Sequence, residues 1–222
     1  KKLIIAYTWN DLFTDKFLQP DLIIEQKIEL AYRTLQKNLK EKGERKVRLQ
    51  DAMVELISYL NNFEDVNEQI ILWSVLFASV DHHSANNYLN LALPTPSVKL
   101  TLQNRYDLAK HFVFSAYLQQ MGGNQFSHLI GEYKENKDAT TRSTKFSYSD
   151  VMANQSGILF SQTLNNKIQA QQQLGFINKI SSNQLTLKDE LFDDGIASPT
   201  KEDQDKQVIL INSELRDLPI YQ

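Results

Sequence analysis

Two pairs of polar residues in the middle of the chain have the spacing that brings side chains together on a helix. Asp107 and His111 are four residues apart, and so are Asp150 and Asn154. Between these pairs lies a third polar set, which consists of His128, Glu132, Glu135 and Asp138. If three neighbouring helices share one interior, these carboxylates and imidazoles can shift each other's pKa values and support acid-base or metal chemistry.

The same residues also fit a purely structural role. His111 is followed directly by the apolar run Phe112-Val113-Phe114, and polar side chains on interior helix faces commonly form satisfied networks that fix the packing. We therefore favour a non-catalytic helical protein with an interior polar network. Its predicted members are His111, Glu135, Asp138, Asp150 and Asn154.

An enzyme that uses this same set is the alternative, and a hydrolase is the class that fits it. In such an enzyme Glu135 acts as the general base, while His111 acts as the acid or as a metal ligand. Asp138 and Asp150 then orient the reacting groups or coordinate the metal. The candidate catalytic residues are thus the predicted network members themselves, Asn154 included.

A second candidate for metal binding is the run Asp81-His82-His83, which places three potential ligands side by side. Adjacent residues on a helix point about 100° apart, so the three side chains can converge only if the run is a loop. We interpret the run as an exposed helix end. The candidate metal ligands of the whole chain are His82, His83, His111 and Glu135.

The chain contains none of the common motifs of nucleotide or hydrolase chemistry. It lacks a phosphate-binding loop, a dinucleotide-binding glycine motif, the His-Glu-x-x-His zinc motif and the Gly-x-Ser-x-Gly nucleophile motif. It has seven glycines and no cysteine, and the lack of cysteine excludes disulfides and thiolate metal sites. We expect no cofactor, with a divalent metal as the alternative.

The charge of the chain does not favour nucleic acid as a partner. The formal net charge is -3, so a polyanion would need a local basic patch. The one candidate patch is the stretch 37–48, where basic side chains are partly offset by Glu41 and Glu44. We interpret this stretch as a solvated helix end followed by a loop.

Hydrophobic periodicity predicts a mainly α fold, a single-domain bundle of about six to eight helices. The predicted helices cover about residues 21–42, 49–60, 65–80, 104–120, 125–138 and 148–164, with a last one from Thr200 onwards. The polar stretch 81–96 is predicted to be a loop. Residues 170–222 are irregular, with some strand character at 176–187, and form either a separate subdomain or a segment that wraps the helical core.

No transmembrane span is expected, because the longest apolar run, 70–80, is about half the roughly 20 residues that cross a bilayer. Phe112, Phe114 and Tyr117 lie on both sides of their helix. They motivate a third hypothesis, a binding module for a small amphiphile or a partner helix, which needs an apolar pocket or an exposed patch. Ala153, Ser156 and Gly157 instead favour close packing against another helix.

A local resemblance covers residues 110–157. The segments that carry it are Lys110-His111-Phe112 with Ser115, Gly131-Glu132-Tyr133-Lys134-Glu135 with Asp138, and Phe146-Ser147-Tyr148-Ser149-Asp150 with Ala153-Asn154 and Gly157. This order resembles a pattern of YfiM-like putative lipoproteins and, more loosely, of VanZ-like membrane proteins. The resemblance implies a helical hairpin with a polar cluster in a protein of the bacterial envelope. The matching cluster residues are His111, Glu135, Asp138, Asp150 and Asn154.

Export to the periplasm or beyond is slightly favoured over a cytoplasmic location. The resemblance points to the envelope, and the first residue is Lys1 instead of Met, which is compatible with removal of an export signal.

Overall fold

The computed structural model describes residues 22–60, 68–122, 147–165, 177, 185–188 and 200–221. These residues form seven helices and one small sheet, so the predicted mainly α fold is confirmed. The elements, in chain order, are α1 (Leu22–Glu41), β1 (Lys46–Arg48), α2 (Leu49–Leu60), α3 (Glu68–Val80), α4 (His82–Leu89), β2 (Lys99–Thr101), α5 (Tyr106–Gly122), α6 (Tyr148–Asn165) and α7 (Lys201–Asp217). The helix predicted at 125–138 lies outside the described residues.

The periodic helices form where the apolar residues repeat every three or four positions. In α1 the predicted apolar stripe is buried, and it consists of Ile24, Ile28, Ala31, Leu35 and Leu39. This stripe packs against α2 and α3. Helix α3 is buried on all sides over its last ten residues, as expected from a run that is apolar all round.

Helix α5 lies between α3 and α6, and aromatic contacts on its two sides define the centre of the core. On one side Phe114 and Tyr117 contact Phe77 of α3, with ring centroids 5.2 and 5.0 Å apart. On the other side Phe112 contacts Phe160 of α6 at 5.7 Å. The aromatics on both sides of α5 are therefore explained by two helical neighbours.

The stretch 81–96, predicted to be a loop, contains the two-turn helix α4, so that prediction was wrong. Asp81 caps the helix by accepting a hydrogen bond from the Ser84 amide, and Asn90 ends it in the left-handed conformation at a φ of 51°. Asp and Asn serve as helix caps as readily as loop residues. The Asn86 side chain holds the following segment. It donates a hydrogen bond to the Leu93 carbonyl and accepts one from the Leu93 amide, both at 2.9 Å.

A two-stranded parallel sheet, which was not predicted, pairs the segment just before α2 with the segment just before α5. Lys46, Val47 and Arg48 of β1 pair with Lys99, Leu100 and Thr101 of β2. Helices α2, α3 and α4 form the connection between the two strands. Strands of three residues are too short for the apolar alternation that identifies a strand in a sequence.

A tight turn links β2 to α5 and also holds part of the C-terminal region. Gln103 and Asn104 have φ values of 51° and 62°, while Leu102 and Arg105 exchange backbone hydrogen bonds across the turn. The Gln103 amide donates to the Leu187 carbonyl at 2.5 Å. The strand character predicted at 176–187 is not observed at Ile177 or at Leu185, both of which are helical.

The last helix packs on α6, and the segment after it is docked. Thr200 caps α7 by accepting a hydrogen bond from the Asp203 amide. Ile220 is buried, and the Tyr221 hydroxyl lies 2.6 Å from the Leu185 carbonyl and 3.1 Å from that of Ser156. The end of the described chain therefore contacts both α6 and the segment at Leu185.

Helices α5 and α6 are in close backbone contact at Gly157. A Cβ atom added to Gly157 would overlap the carbonyl oxygen of Phe112 and would lie 2.9 Å from its carbonyl carbon. The obstacle is backbone, which no side-chain rotation can move. The prediction from Ala153, Ser156 and Gly157 that another helix packs closely here is therefore confirmed at Gly157.

We expect Gly157→Ala to destabilise the fold by about 1 to 3 kcal/mol, because the new methyl group forces α5 and α6 apart. In a helix without this contact the same change would stabilise by up to about 1 kcal/mol. Urea unfolding measures the difference, and Gly122→Ala at an exposed position of α5 is the matched control. A variant as stable as the control would contradict the close contact.

Candidate functional site

The predicted polar residues that the structure brings together lie at the crossing of α5 and α6. His111 projects from α5 towards two residues of α6. Its Nδ1 is 3.1 Å from Oδ1 of Asn154, and its Nε2 is 3.3 Å from Oδ2 of Asp150. The exposed fractions of the His111 and Asp150 side chains are 10% and 19%. Of the predicted residues, the structure thus brings His111, Asp150 and Asn154 together.

Ser115 is a further member of this cluster, and we call the four residues the His111 network. The hydroxyl of Ser115 donates to Oδ1 of Asn154 at 2.8 Å. Ser115 is four residues after His111 and therefore lies on the same face of α5. That spacing is the sequence signal that could have added Ser115 to the predicted network.

The protonated ring of His111 matches its surroundings. Each ring nitrogen faces an oxygen, one of the Asn154 amide and one of the Asp150 carboxylate. Both nitrogens carry a hydrogen only in the imidazolium form. This form therefore offers a donor to each oxygen, whereas a neutral ring offers a donor to one of them.

The start of α6 places Asp150 in the network. Ser147 accepts a hydrogen bond from the Asp150 amide at 3.1 Å, as predicted from the Ser-x-x-Asp spacing. Asp150 thus belongs to the first turn of α6, where the partial positive charge of the helix end favours a carboxylate.

The network contains serine, histidine and aspartate but lacks the geometry of a catalytic triad. In a triad the serine hydroxyl donates to the histidine, whereas Ser115 donates to Asn154. Ser115 is also 2% exposed, so a substrate cannot reach its oxygen without opening the helix pair. The arrangement supports hydrogen bonding between helices better than nucleophilic attack.

The predicted pairing of Asp107 with His111 is replaced by another. Arg105 makes an ion pair with Asp107 at 2.7 Å, at the exposed start of α5. The other predicted residues, Glu135, Asp138, His128 and Glu132, lie outside the described residues. The described part of the network consists of His111, Ser115, Asp150 and Asn154.

The Asp81-His82-His83 run is a helix end, as interpreted from the sequence. Asp81 is the cap of α4, and His82 and His83 are its first two residues. The Nε2 atom of His82 lies 3.3 Å from the Thr95 hydroxyl, while His83 is exposed. Across residues 22–60, 68–122 and the other described segments, no three His, Asp or Glu side chains gather within reach of one metal ion.

Asp81 is also bound by the residue before His111. Lys110 makes an ion pair with Asp81 at 2.6 Å, and this contact ties α5 to the cap of α4. Burial raises the pKa of Asp81, but the hydrogen bond and charge of Lys110, together with the bonds from Ser84, outweigh burial and lower it. Asp81 is therefore held ionised in the folded protein.

The aromatic residues behind the binding-module hypothesis are parts of the core. Phe112 and Tyr117 are fully buried, and Phe114 is partly buried against the core. These side chains fill the space between α3, α5 and α6. They form no exposed apolar patch on which an amphiphile or a partner helix could dock.

Comparisons with models of protein families, with curated proteins and with solved structures give no match for this chain. Within the part of the chain that the structure describes, no helix has both the length and the apolar character needed to span a membrane.

We expect Lys110→Met to lower the free energy of unfolding at pH 7 by about 1 kcal/mol or less, because solvent screens a lysine that is nearly half exposed. A carboxyl group with a lowered pKa in the folded state stabilises above its ordinary pKa, and this contribution disappears as the pH falls through the lowered value. The deficit should therefore shrink below about pH 4.

Urea unfolding at pH 7 and at pH 3 measures this change. Lys206→Met is the matched control, because Lys206 pairs with Glu202 on the exposed surface of α7. An equal deficit for Lys110→Met at both pH values would show that the ion pair with Asp81 is not its cause.

Proposed function

We propose that this chain is a non-catalytic helical scaffold in which the His111 network fastens α5 to α6. The observation that carries the proposal is the engagement of both ring nitrogens of His111, on α5, by oxygens of α6. A scaffold of this kind acts through its surfaces and not through a reaction.

The surroundings of His111 support a structural role over acid-base catalysis. A general acid or base needs a ring nitrogen within reach of the substrate, and a metal ligand needs a nitrogen without a proton. In the His111 network one nitrogen faces Asn154 and the other faces Asp150, and little of the ring is exposed. Catalysis would first have to break one of these two contacts.

The position of the network supports the same proposal. His111 precedes Phe112, whose carbonyl oxygen meets Gly157, and Asn154 lies one helical turn before Gly157. The polar contacts and the close backbone contact thus occur at one crossing. If α6 slid by one turn, it would lose the glycine opposite Phe112, and only one of the two ring nitrogens of His111 would still face an oxygen. The network therefore selects a single alignment of the two helices.

The envelope location remains a proposal that rests on the resemblance of residues 110–157 to YfiM-like proteins. In this proposal the scaffold is an exported protein. The resemblance matches His111, Asp150 and Asn154 of the His111 network, and the other two matching residues are Glu135 and Asp138.

A double-mutant cycle between His111→Ala and Asp150→Asn tests the structural role of the network. We expect each single change to cost about 1 to 3 kcal/mol in the free energy of unfolding, because each leaves a polar partner unsatisfied. The double variant should lose less than the sum, by about 0.5 kcal/mol or more. His83→Ala, at an exposed histidine, is the control. Unchanged stability of both single variants would contradict the proposal.

Removal of metal separates the scaffold from the hydrolase alternative. We expect protein purified without chelators or a metal-affinity tag to contain no stoichiometric zinc, manganese or iron by elemental analysis. Its melting temperature should be the same with and without EDTA, because both ring nitrogens of His111 already face oxygens of α6. Stoichiometric metal together with a melting temperature lowered by EDTA would favour a metal-dependent enzyme instead.

A further inference from the structure

The exposed face of the small sheet carries two lysines side by side. Lys46 of β1 and Lys99 of β2 are partners in the parallel register, and both are exposed. Paired residues point to the same side of a sheet and lie about 5 Å apart. Like charges directly opposite each other destabilise a strand pair. The stability of the sheet therefore does not account for these two lysines.

Arg45 extends this positive surface, and the three cations differ from their neighbours in lacking acidic partners. Lys42 pairs with Glu55, and Arg48 pairs with Asp51. In the described part of the chain, by contrast, no ion pair is formed by Arg45, Lys46 or Lys99. The Lys99 ammonium lies 5.9 Å from the centre of the Tyr106 ring.

The outer edge of β1 is available for backbone hydrogen bonds. The Lys99 amide donates to the Arg45 carbonyl at 3.1 Å. In a parallel ladder the groups that face the partner alternate along the strand, so Val47 also faces β2. Both backbone groups of Lys46 and the Arg48 N–H then point to the other edge of β1, while the Arg48 carbonyl accepts a hydrogen bond in the first turn of α2. Within the described residues the sheet has two strands. Strand β2 lies at one edge of β1, and no described strand lies at the other edge.

We propose that this edge binds an extended acidic peptide segment of a partner protein, which adds a third strand beside β1. The peptide backbone pairs with both backbone groups of Lys46 and with the Arg48 N–H, as in other complexes formed by strand addition. Acidic side chains at every second position of the peptide point to the face of Lys46 and Lys99. The surface formed by Arg45, Lys46 and Lys99 then gains the negative charges that it lacks.

The chemistry of the surface selects this occupant over other anions. The three cations are exposed on a strand pair and its preceding turn, and exposed side chains of this kind do not enclose a single phosphate. A nucleic acid or a lipid headgroup has no peptide backbone that could pair with the edge of β1. A second copy of this chain would place Arg45, Lys46 and Lys99 against the same three cations. Lysines on edge strands commonly oppose such self-pairing, and an acidic peptide does not meet this repulsion.

Fluorescence anisotropy tests the proposal with a labelled heptapeptide in which glutamates alternate with valines. We expect saturable binding that weakens with salt. The double variant Lys46→Glu, Lys99→Glu should lower the affinity by about tenfold or more, because it replaces attraction by repulsion. The variant Lys201→Glu, Lys206→Glu on α7 changes the net charge equally and is the matched control.

A second peptide tests the strand pairing itself. N-methylation of every second amide removes the donors that face β1 and keeps every carboxylate, so we expect it to abolish binding. No binding of the first peptide, equal affinity of the two double variants, or equal binding of the methylated peptide would each overturn the proposal. The outcome is independent of the scaffold proposal, since the His111 cycle measures stability and this experiment measures binding at a different surface.

Discussion

The close approach of α6 to the backbone of α5 at Gly157 is the constraint on which the other contacts of this protein depend. Only a residue without a Cβ atom fits against the Phe112 carbonyl. At this separation the short side chains of Ser115 and Asn154 can meet directly across the helix pair. A wider crossing would leave their polar atoms buried and without partners, which is costly.

Helix α5 connects this crossing to the rest of the fold, because it also contacts α3 and α4. Because Phe112 faces α6 while Phe114 and Tyr117 face α3, the position of α5 sets the centre of the core. At its start Tyr106 donates a hydrogen bond to the Val80 carbonyl, and Lys110 binds the cap of α4. A shift of α5 would therefore disturb α3, α4 and α6 at once.

The sequence allows prediction of features that depend on local spacing, and it hides those that depend on distant partners. The stripe of α1 and the Ser147 cap of α6 follow from spacing alone, and both were predicted. Asp107 has the spacing to contact His111, yet it forms an ion pair with Arg105. Arg105 is only two positions away in the sequence and carries a full charge. The β1–β2 pair joins residues more than 50 positions apart. The local spacing of apolar residues cannot predict a contact between such distant segments. Helix α4 was missed because its two caps resemble loop residues.

The steric fit and the polar contacts of the α5–α6 crossing have different physical roles. Burying polar side chains costs desolvation energy that their mutual contacts largely offset, so the contact between His111 and Asp150 adds little net stability. The apolar contacts around Phe112 and Phe160 supply most of the driving force. Apolar side chains, however, tolerate several alignments of two helices, whereas a ring with an oxygen at each nitrogen tolerates one. In the scaffold that we propose, the Gly157 contact and the His111 network together align the two helices, and the apolar core supplies the stability.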